Sequence, residues 1–203
     1  MKKLLLTGFE PFLDFPINPT EEIVKRIDGS TIGNYQIIGR LLPVDFSESA
    51  KQILNLIDEV KPDVVISLGL AAGRSKITPE RIAINCCDGA ADNKGIKLED
   101  SPIEDNGPVG YFSTLPIRKF VNTLNENGLP ATISNSAGTY LCNNVMYSTL
   151  HKIEQESLSI QAGFIHIPAS HQLAIKKPNL PSWSNKDLEA AIAIMIETLG
   201  GEK

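Results

Sequence analysis

Segments typical of buried strands alternate along this chain with amphipathic segments typical of helices. Lys3 to Thr7 is an apolar run that ends at Gly8, and Asn18-Pro19-Thr20 then begins a segment with apolar residues at helical spacing. Val64 to Leu68 is a continuous β-branched run of the kind found in parallel strands buried on both faces. This alternation predicts an α/β protein, a three-layer α/β/α sandwich on a mostly parallel, twisted sheet.

The remaining segments continue the pattern. We expect further strands at 35–41, 82–84, 131–133 and 162–168, and further helices after Ser47, from Pro116 to Gly128, after Cys142, and after Ser184 with an end at Gly200-Gly201. Ser47 is the expected cap of its helix, and Ser184 with Asp187 forms an expected capping pair. Residues 88–110 are rich in Asp, Asn, Gly and Pro and predict a long irregular excursion. Ligands of such sheets bind beyond the carboxyl ends of the strands.

The length of the chain fits one compact domain, so we expect residues 1–203 to form a single catalytic unit. The formal charge of −5 provides no basic field for a polyanion, and nucleic acid is not an expected partner. The apolar run after Met1 ends at Thr7-Gly8, too early for a signal peptide, and no run approaches the ~20 residues that a membrane span needs. A cytoplasmic location without membrane contact is therefore expected.

The three cysteines do not suggest a disulfide framework, because Cys86 and Cys87 are adjacent. No Cys-x-x-Cys pair or His/Cys/Asp cluster has the spacing of metal ligands, so we predict no metal.

Cys142 follows a turn of small residues, at the point where a helix is expected to begin. A helix N-terminus favours the thiolate, which is the nucleophilic form, but the dipole contributes only about 0.3–1 kcal/mol. An ordinary thiol with a pKa of ~8.5 is only a few per cent ionised at neutral pH, so a charged partner is needed. Without such a partner, Cys142 would be a packed core residue.

His166 is the preferred partner, because it lies near the end of its strand on the same side as Phe164. The alternative is a core histidine. His151 lies roughly 13 Å further along the helix of Cys142, and His171 falls in a loop and stays an open alternative. An imidazolium beside the thiol would complete an ion pair and could protonate a leaving amine.

Glu80 is the best candidate to orient the imidazole, because it precedes the short strand 82–84. The alternative is a solvated loop acid that pairs with Arg81. Phe9 and Phe12 lie on the loop after the first strand, where they either join the core or form an apolar wall for a small, flat, neutral substrate group.

Six segments, taken together, resemble the pyroglutamyl peptidase I family of cysteine peptidases, also called pyrrolidone-carboxylate peptidases. They cover nearly the whole chain in the right order: TGFEPF (7–12), Asn18-Pro19-Thr20, GLAAGRSKITPERIAIN (69–85), YFSTLPI (111–117), SNSAGTYLCNN (134–144) and GFIHIP (163–168). The Glu-Arg-x-Ala-x-Asn and Ser-Ala-Gly-x-Tyr-Leu-Cys-Asn segments are each specific.

The resemblance implies a cytoplasmic enzyme that removes an N-terminal pyroglutamyl residue from peptides, needs no cofactor and usually forms a homotetramer. It places the nucleophile on Cys142, the catalytic histidine on His166 and the catalytic glutamate on Glu80. The pocket for the lactam ring falls on Phe9 and Phe12.

Two departures from the family pattern concern the rate and the fit of the substrate. The segment 88–93, DGAADN, lacks an arginine that the family commonly carries there and is one residue shorter, and Leu13-Asp14 stands where Gly-Gly commonly follows the aromatic motif. A second hypothesis is therefore a catalytically impaired member that binds pyroglutamyl peptides without efficient turnover. A third, ranked lower, is a nucleoside phosphorylase-like enzyme on a similar scaffold.

Overall fold

The computed structural model describes residues 1–200, which form ten strands and six helices. The strands are β1 (Lys2–Phe9), β2 (Thr31–Ile32), β3 (Tyr35–Leu42), β4 (Val64–Leu70), β5 (Thr78–Pro79), β6 (Ile82–Ile84), β7 (Gly110–Phe112), β8 (Gln161–Ile167), β9 (Ala169–Ser170) and β10 (Ser182–Trp183). The helices are α1 (Pro19–Ile27), α2 (Ser49–Val60), α3 (Ile117–Glu126), α4 (Leu141–Gln155), α5 (His171–Lys176) and α6 (Asn185–Gly200).

The central sheet contains six strands in the order β2-β3-β1-β4-β8-β5. The four inner strands run parallel to one another, and the short edge strands β2 and β5 are antiparallel to their neighbours. All seven residues of β4 are buried, as its β-branched run predicts. The expected mostly parallel sheet is confirmed.

Side chains of β1 alternate between two separate apolar cores, one on each face of the sheet. Leu4 and Leu6 pack with residues of α1, α3 and α6, whereas Leu5 packs with residues of α2 and α4. Because successive residues of a strand point to opposite faces, one apolar run supplies both cores. The predicted α/β/α layering is confirmed.

The predicted start of α1 and the capping pair before α6 are both present. The Asn18 side chain accepts a hydrogen bond from the Thr20 amide (3.1 Å), and Pro19 occupies the first turn. The Ser184 hydroxyl accepts a hydrogen bond from the Asp187 amide (3.1 Å). The expected end of α6 extends to Gly201, which lies outside the described residues.

The prediction that Ser47 caps α2 is wrong. The helix begins two residues later, at Ser49, its N-cap residue is Glu48, and no side chain caps it. Asp45 Oδ1 accepts hydrogen bonds from the Ser47 amide (2.8 Å), the Ser47 hydroxyl (2.7 Å) and the Glu48 amide (3.2 Å). An Asx turn therefore precedes the helix, and Ser47 is a donor to it rather than its cap.

The strand expected at residues 131–133 is also absent. The chain makes only isolated bridges there, from Ala131 to Ile77 and from Ser134 to Glu80. The predicted strand 82–84 does form, as β6, but it pairs with β7 in a separate ribbon and not with the central sheet.

The predicted irregular excursion is present, because residues 88–109 contain neither helix nor strand. Within residues 1–200, no helix has the length and apolarity that crossing a membrane requires.

Candidate active site

The carboxyl ends of the four inner strands meet at one edge of the sheet, where the order of strand addition reverses. From β1 the chain passes to β3 on one side of β1 and then returns to β4 on the other side. Phe9 ends β1 and Leu70 ends β4, so these two residues flank the reversal point. Open α/β sheets bind their ligands in the crevice at such a point.

His166 lies next to this crevice, near the end of β8, and contacts Glu80. Its Nδ1 donates a hydrogen bond to Glu80 Oε1 at 2.6 Å. The His166 ring packs against Phe164, with 5.0 Å between ring centroids, on the face of the sheet that α4 covers. Because Nδ1 is engaged by the carboxylate, Nε2 is the nitrogen left for a reacting partner.

Strand β5 carries Glu80 to the side of His166. Thr78 and Pro79 pair antiparallel with β8, and Thr78 lies opposite His166. The Glu80 amide continues this pairing by donating to the Phe164 carbonyl (2.9 Å). Glu80 itself is fully buried. It is therefore placed by an edge strand that the sequence did not suggest.

The cation beside Glu80 is Arg74 and not Arg81. Arg74 Nη1 lies 2.7 Å from Glu80 Oε1, whereas Arg81 donates from Nε to the Asn135 side chain (2.8 Å). Burial alone raises the pKa of the Glu80 carboxyl, but the hydrogen bond and charge of His166, followed by the hydrogen bonds from Ser134 and Arg74, reverse that effect and leave the pKa below its usual value. Glu80 is thus held as a buried carboxylate.

Cys142 is the second residue of α4, as the sequence predicted, and its neighbour Asn143 fixes this helix end. The fully buried Asn143 side chain accepts a hydrogen bond from the Ile84 amide (2.9 Å) and donates to the carbonyls of Ile84 (2.8 Å) and Cys86 (2.9 Å). These three bonds tie the start of α4 to the end of β6.

His166 and Cys142 lie close enough for the thiol to influence the imidazole. Burial is the largest single effect on the pKa of the His166 imidazole and lowers it, but Cys142 and Glu80 together raise it by more, and the resulting pKa is about 9. The charge and hydrogen bonding of the two neighbouring groups, Cys142 and Glu80, therefore favour the imidazolium form of His166. The arrangement brings the three side chains into one chain of contacts, Glu80 to His166 to Cys142.

Gly69 makes room for this chain of contacts. It lies opposite His166 in the pairing of β4 with β8. A Cβ atom at this position would lie 2.6 Å from the Phe164 ring and 3.0 Å from Cys142 Sγ. Only a residue without a side chain fits between the thiol and the strand.

An apolar pocket opens beside Cys142. It is lined by Phe9, Phe12, Asn18, Val44, Leu70, Tyr140, Leu141 and Cys142. Both predicted aromatic residues thus line it, although Phe9 also packs against Phe164 in the core, at 6.3 Å between ring centroids. Phe9 therefore belongs to the core and also lines the pocket, and its contact with a substrate stays a prediction.

The irregular segment that lacks the family arginine is bonded to the walls of this pocket. The Tyr140 hydroxyl donates to the Ala91 carbonyl (3.1 Å), and the Asn93 amide donates to the Val44 carbonyl (3.0 Å). The Asn93 side chain donates to the Pro11 carbonyl (3.0 Å), between the two phenylalanines. Burial raises the pKa of Tyr140 to about 12, with Asp92 acting in the same direction, so its hydroxyl stays a donor.

The second departure has a visible consequence in the backbone. Leu13 has a φ of +51°, in the left-handed region that favours glycine. Its side chain is exposed, and the adjacent Asp14 forms an ion pair with Lys177.

The other histidines and cysteines have different partners. His151 Nδ1 lies 2.9 Å from the Tyr111 hydroxyl, and His171 Nδ1 lies 2.9 Å from the Ser182 hydroxyl. Burial raises the pKa of the Cys87 thiol. Within residues 1–200, no group of three or more His, Cys, Asp or Glu side chains could hold a metal ion.

Comparison with known proteins identifies the family. The family model described as pyroglutamyl peptidase matches residues 2–201. The chain belongs to this family. The pyrrolidone-carboxylate peptidase of Oceanobacillus iheyensis is 57% identical over 98% of this chain and all of its own length, and that of Halalkalibacterium halodurans is 53% identical over 97% and 98%. The solved pyrrolidone carboxyl peptidase of Thermococcus litoralis superposes with a TM-score of 0.94 at 44% identity, over 98% of this chain and 93% of its own.

Proposed function

We propose that this pyroglutamyl peptidase family member removes N-terminal pyroglutamyl residues from peptides, with Cys142 as nucleophile, His166 as acid and base, and Glu80 as the group that orients His166. The observation that carries the proposal is the chain of contacts from Glu80 through His166 to Cys142, next to an apolar pocket. A thiol beside an imidazolium, with a carboxylate behind it, is the arrangement that nucleophilic acyl transfer requires.

The first half of the reaction forms a thioester. The Cys142 sulfur attacks the pyroglutamyl carbonyl carbon, and the bond between that carbon and the peptide nitrogen breaks. His166 gives its Nε2 proton to the departing amine, so the peptide leaves as a neutral amine. Because Glu80 holds Nδ1–H, the imidazole keeps its orientation after it becomes neutral.

The second half hydrolyses the thioester. His166 Nε2 takes a proton from a water molecule as that water attacks the thioester carbonyl, and the carbon–sulfur bond then breaks. Pyroglutamate leaves, and the thiolate and imidazolium are regenerated.

The start of α4 is suited to stabilise the oxyanion in both steps. Its first backbone N–H groups have no partner within the helix, and no side chain caps it. Backbone donors directed at a developing oxyanion are each worth roughly 3–4 kcal/mol in known acyl-transfer enzymes.

The pocket suits a pyroglutamyl ring because the ring carries no charge. Its lining is mostly apolar, and apart from Cys142 the polar groups come from Asn18 and the Tyr140 hydroxyl. A carboxylate of the kind that binds a free α-amino group is not among the lining residues. The pocket therefore favours a neutral lactam over an ordinary N-terminus.

We also propose that the chain acts as one catalytic domain, assembles as a homotetramer and works in the cytoplasm without a cofactor. These statements rest on the length of the chain and on the family resemblance. No observation favours the catalytically impaired alternative, because the segment without the arginine leaves the contacts among Cys142, His166 and Glu80 in place.

A chromogenic pyroglutamyl amide tests the proposal. The purified protein is expected to release the chromophore, and Cys142→Ala to reduce release to background because no thioester can form. Cys86→Ala is the matched control, since Cys86 lies outside the pocket lining, and it is expected to retain activity. Absence of turnover by the unaltered protein, or unchanged turnover by Cys142→Ala, would contradict it; tight binding without turnover, measured by calorimetry, would favour the impaired alternative.

A further inference from the structure

Arg74 has no assigned role in the reaction, yet it contacts the residue that orients His166. Its Nη1 lies 2.7 Å from Glu80 Oε1, the same oxygen that accepts the hydrogen bond from His166 Nδ1 at 2.6 Å. The same Nη1 also donates to the Thr78 hydroxyl at 2.6 Å. Two hydrogen atoms of one guanidinium nitrogen thus reach both ends of the segment that pairs with β8.

Glu80 needs a cation because it is fully buried. A buried carboxylate without a positive partner is costly and tends to take up a proton instead. While His166 is protonated, the imidazolium meets this need. The need for another cation beside Glu80 is greatest when His166 is neutral.

His166 is neutral at one defined stage of the proposed reaction. Once the peptide has left with the proton of Nε2, Cys142 is held as an uncharged thioester, and the strongest influence that raises the pKa of His166 is gone. Glu80 then faces a neutral imidazole, and the guanidinium of Arg74 is the positive charge that still contacts it.

We propose that Arg74 is a positioning residue for the second half of the reaction, keeping Glu80 ionised in the thioester intermediate so that His166 retains its proton on Nδ1 and its free Nε2. This inference rests on the proposed function. If Glu80 took up a proton, its hydroxyl would donate to Nδ1 and the imidazole proton would move to Nε2. Nε2 could then no longer accept a proton from water, and the thioester would persist.

The decisive variant is Arg74→Met, assayed by rapid mixing with a chromogenic pyroglutamyl amide. Chromophore release reports thioester formation, so we expect a burst of about one equivalent per active site, followed by a steady state slowed ~10-fold or more. The ratio kcat/KM should fall by less than about 3-fold, because it reports steps up to thioester formation. Intact-protein mass spectrometry should detect the pyroglutamyl thioester on Cys142. Arg74→Lys, which keeps the charge, should restore part of the steady-state rate.

Lys76→Met is the matched control. It removes a cation from the same loop, two residues away, and Lys76 is exposed to solvent. It should show neither a burst nor a slowed steady state. The fluorescence of Trp183 reports whether the loop keeps its structure in each variant. Its indole Nε1 donates a hydrogen bond (3.0 Å) to the carbonyl of Ser75, the residue after Arg74.

A second readout does not depend on turnover. The Cys142→Ala variant serves as the background, because it lacks a thiolate as the thioester intermediate does. Carbon-13 NMR of the glutamate carboxyls can follow the titration of Glu80 in this background. The Glu80 signal is the one that disappears in Glu80→Gln. Adding Arg74→Met should raise the pKa of Glu80, because the carboxylate loses a hydrogen-bonded cation, and adding Lys76→Met should not. If Arg74→Met leaves the pKa of Glu80 unchanged and lowers kcat and kcat/KM equally, the inference is overturned. An inactive unaltered protein would instead refute the proposed function while leaving the NMR test intact.

Discussion

Gly69 shows how closely the reacting groups are packed. A Cβ atom there would approach the Phe164 ring to 2.6 Å and Cys142 Sγ to 3.0 Å, so Gly69→Ala must displace one or both. Overpacking of this kind costs typically about 1–3 kcal/mol. We expect urea unfolding to show that loss of stability. We also expect a larger fall in kcat than in substrate affinity, because the sulfur shifts relative to His166.

Gly73→Ala is the comparison. A Cβ atom there meets no other heavy atom within 4 Å, so the variant should match the unaltered protein or gain up to about 1 kcal/mol. Equal stability and activity of the two alanine variants would mean that Phe164 and the thiol can move aside without cost.

Some residues of the site could be predicted from the sequence and others could not. Cys142 and His166 could be proposed because helix starts and strand ends are visible as local patterns. Arg74 and Gly69 could not, because their importance comes from contacts that only the folded sheet creates: Arg74 reaches Glu80 across a loop, and Gly69 faces a residue of another strand.

At the scale of the element, the start of α2 depends on the charge of Asp45. The hydrogen bond from Lys94 lowers the pKa of the Asp45 carboxyl to about 2, with the bonds from Ser47 acting in the same direction and against the effect of burial. A lowered pKa means that the carboxylate stabilises the fold above its unfolded pKa of about 4, and that this contribution disappears as the pH falls towards 2.

Asp45→Asn is therefore expected to lower the free energy of unfolding by about 1–2 kcal/mol at neutral pH, because the amide keeps an oxygen for the Asx turn but loses the ion pair with Lys94. The difference from the unaltered protein should shrink between pH 4 and pH 2. Urea unfolding at a series of pH values measures it. Asp58→Asn removes the ion pair of an exposed carboxylate with Lys152, which keeps its second partner Glu156, and should change stability by less than about 0.5 kcal/mol. A loss of stability in Asp45→Asn that does not vary with pH would argue against the role of the charge.

The long elements were predictable and the short ones were not, for a physical reason. β4 and α1 carry enough apolar periodicity to be recognised alone. β5 has only two residues, and its pairing with β8 is decided by tertiary contacts. The segment 131–133 has the composition of a strand, but it meets its neighbours only through isolated bridges.

At the scale of the whole molecule, the site depends on segments from most of the chain. Phe9 ends the first strand, Glu80 lies at the edge of the sheet, and His166 lies near the end of the last long strand. The two apolar cores share one sheet, so neither face can unfold while the other keeps its strands. Activity and global structure should therefore be lost together.

Equilibrium unfolding in urea tests this together with the proposed tetramer. Far-UV circular dichroism, the fluorescence of Trp183, which is the single tryptophan, and peptidase activity should give one coincident transition. If the protein is a tetramer, the midpoint of unfolding should rise with protein concentration, and sedimentation should give four times the 22.1 kDa of one chain.

Trp183 is hydrogen-bonded to the loop of Arg74. A change in its fluorescence and in activity before the loss of helix signal would therefore locate a separately unfolding region at the active site. Such a result would contradict the single-domain proposal, whereas a concentration-independent midpoint with the mass of one chain would contradict only the tetramer.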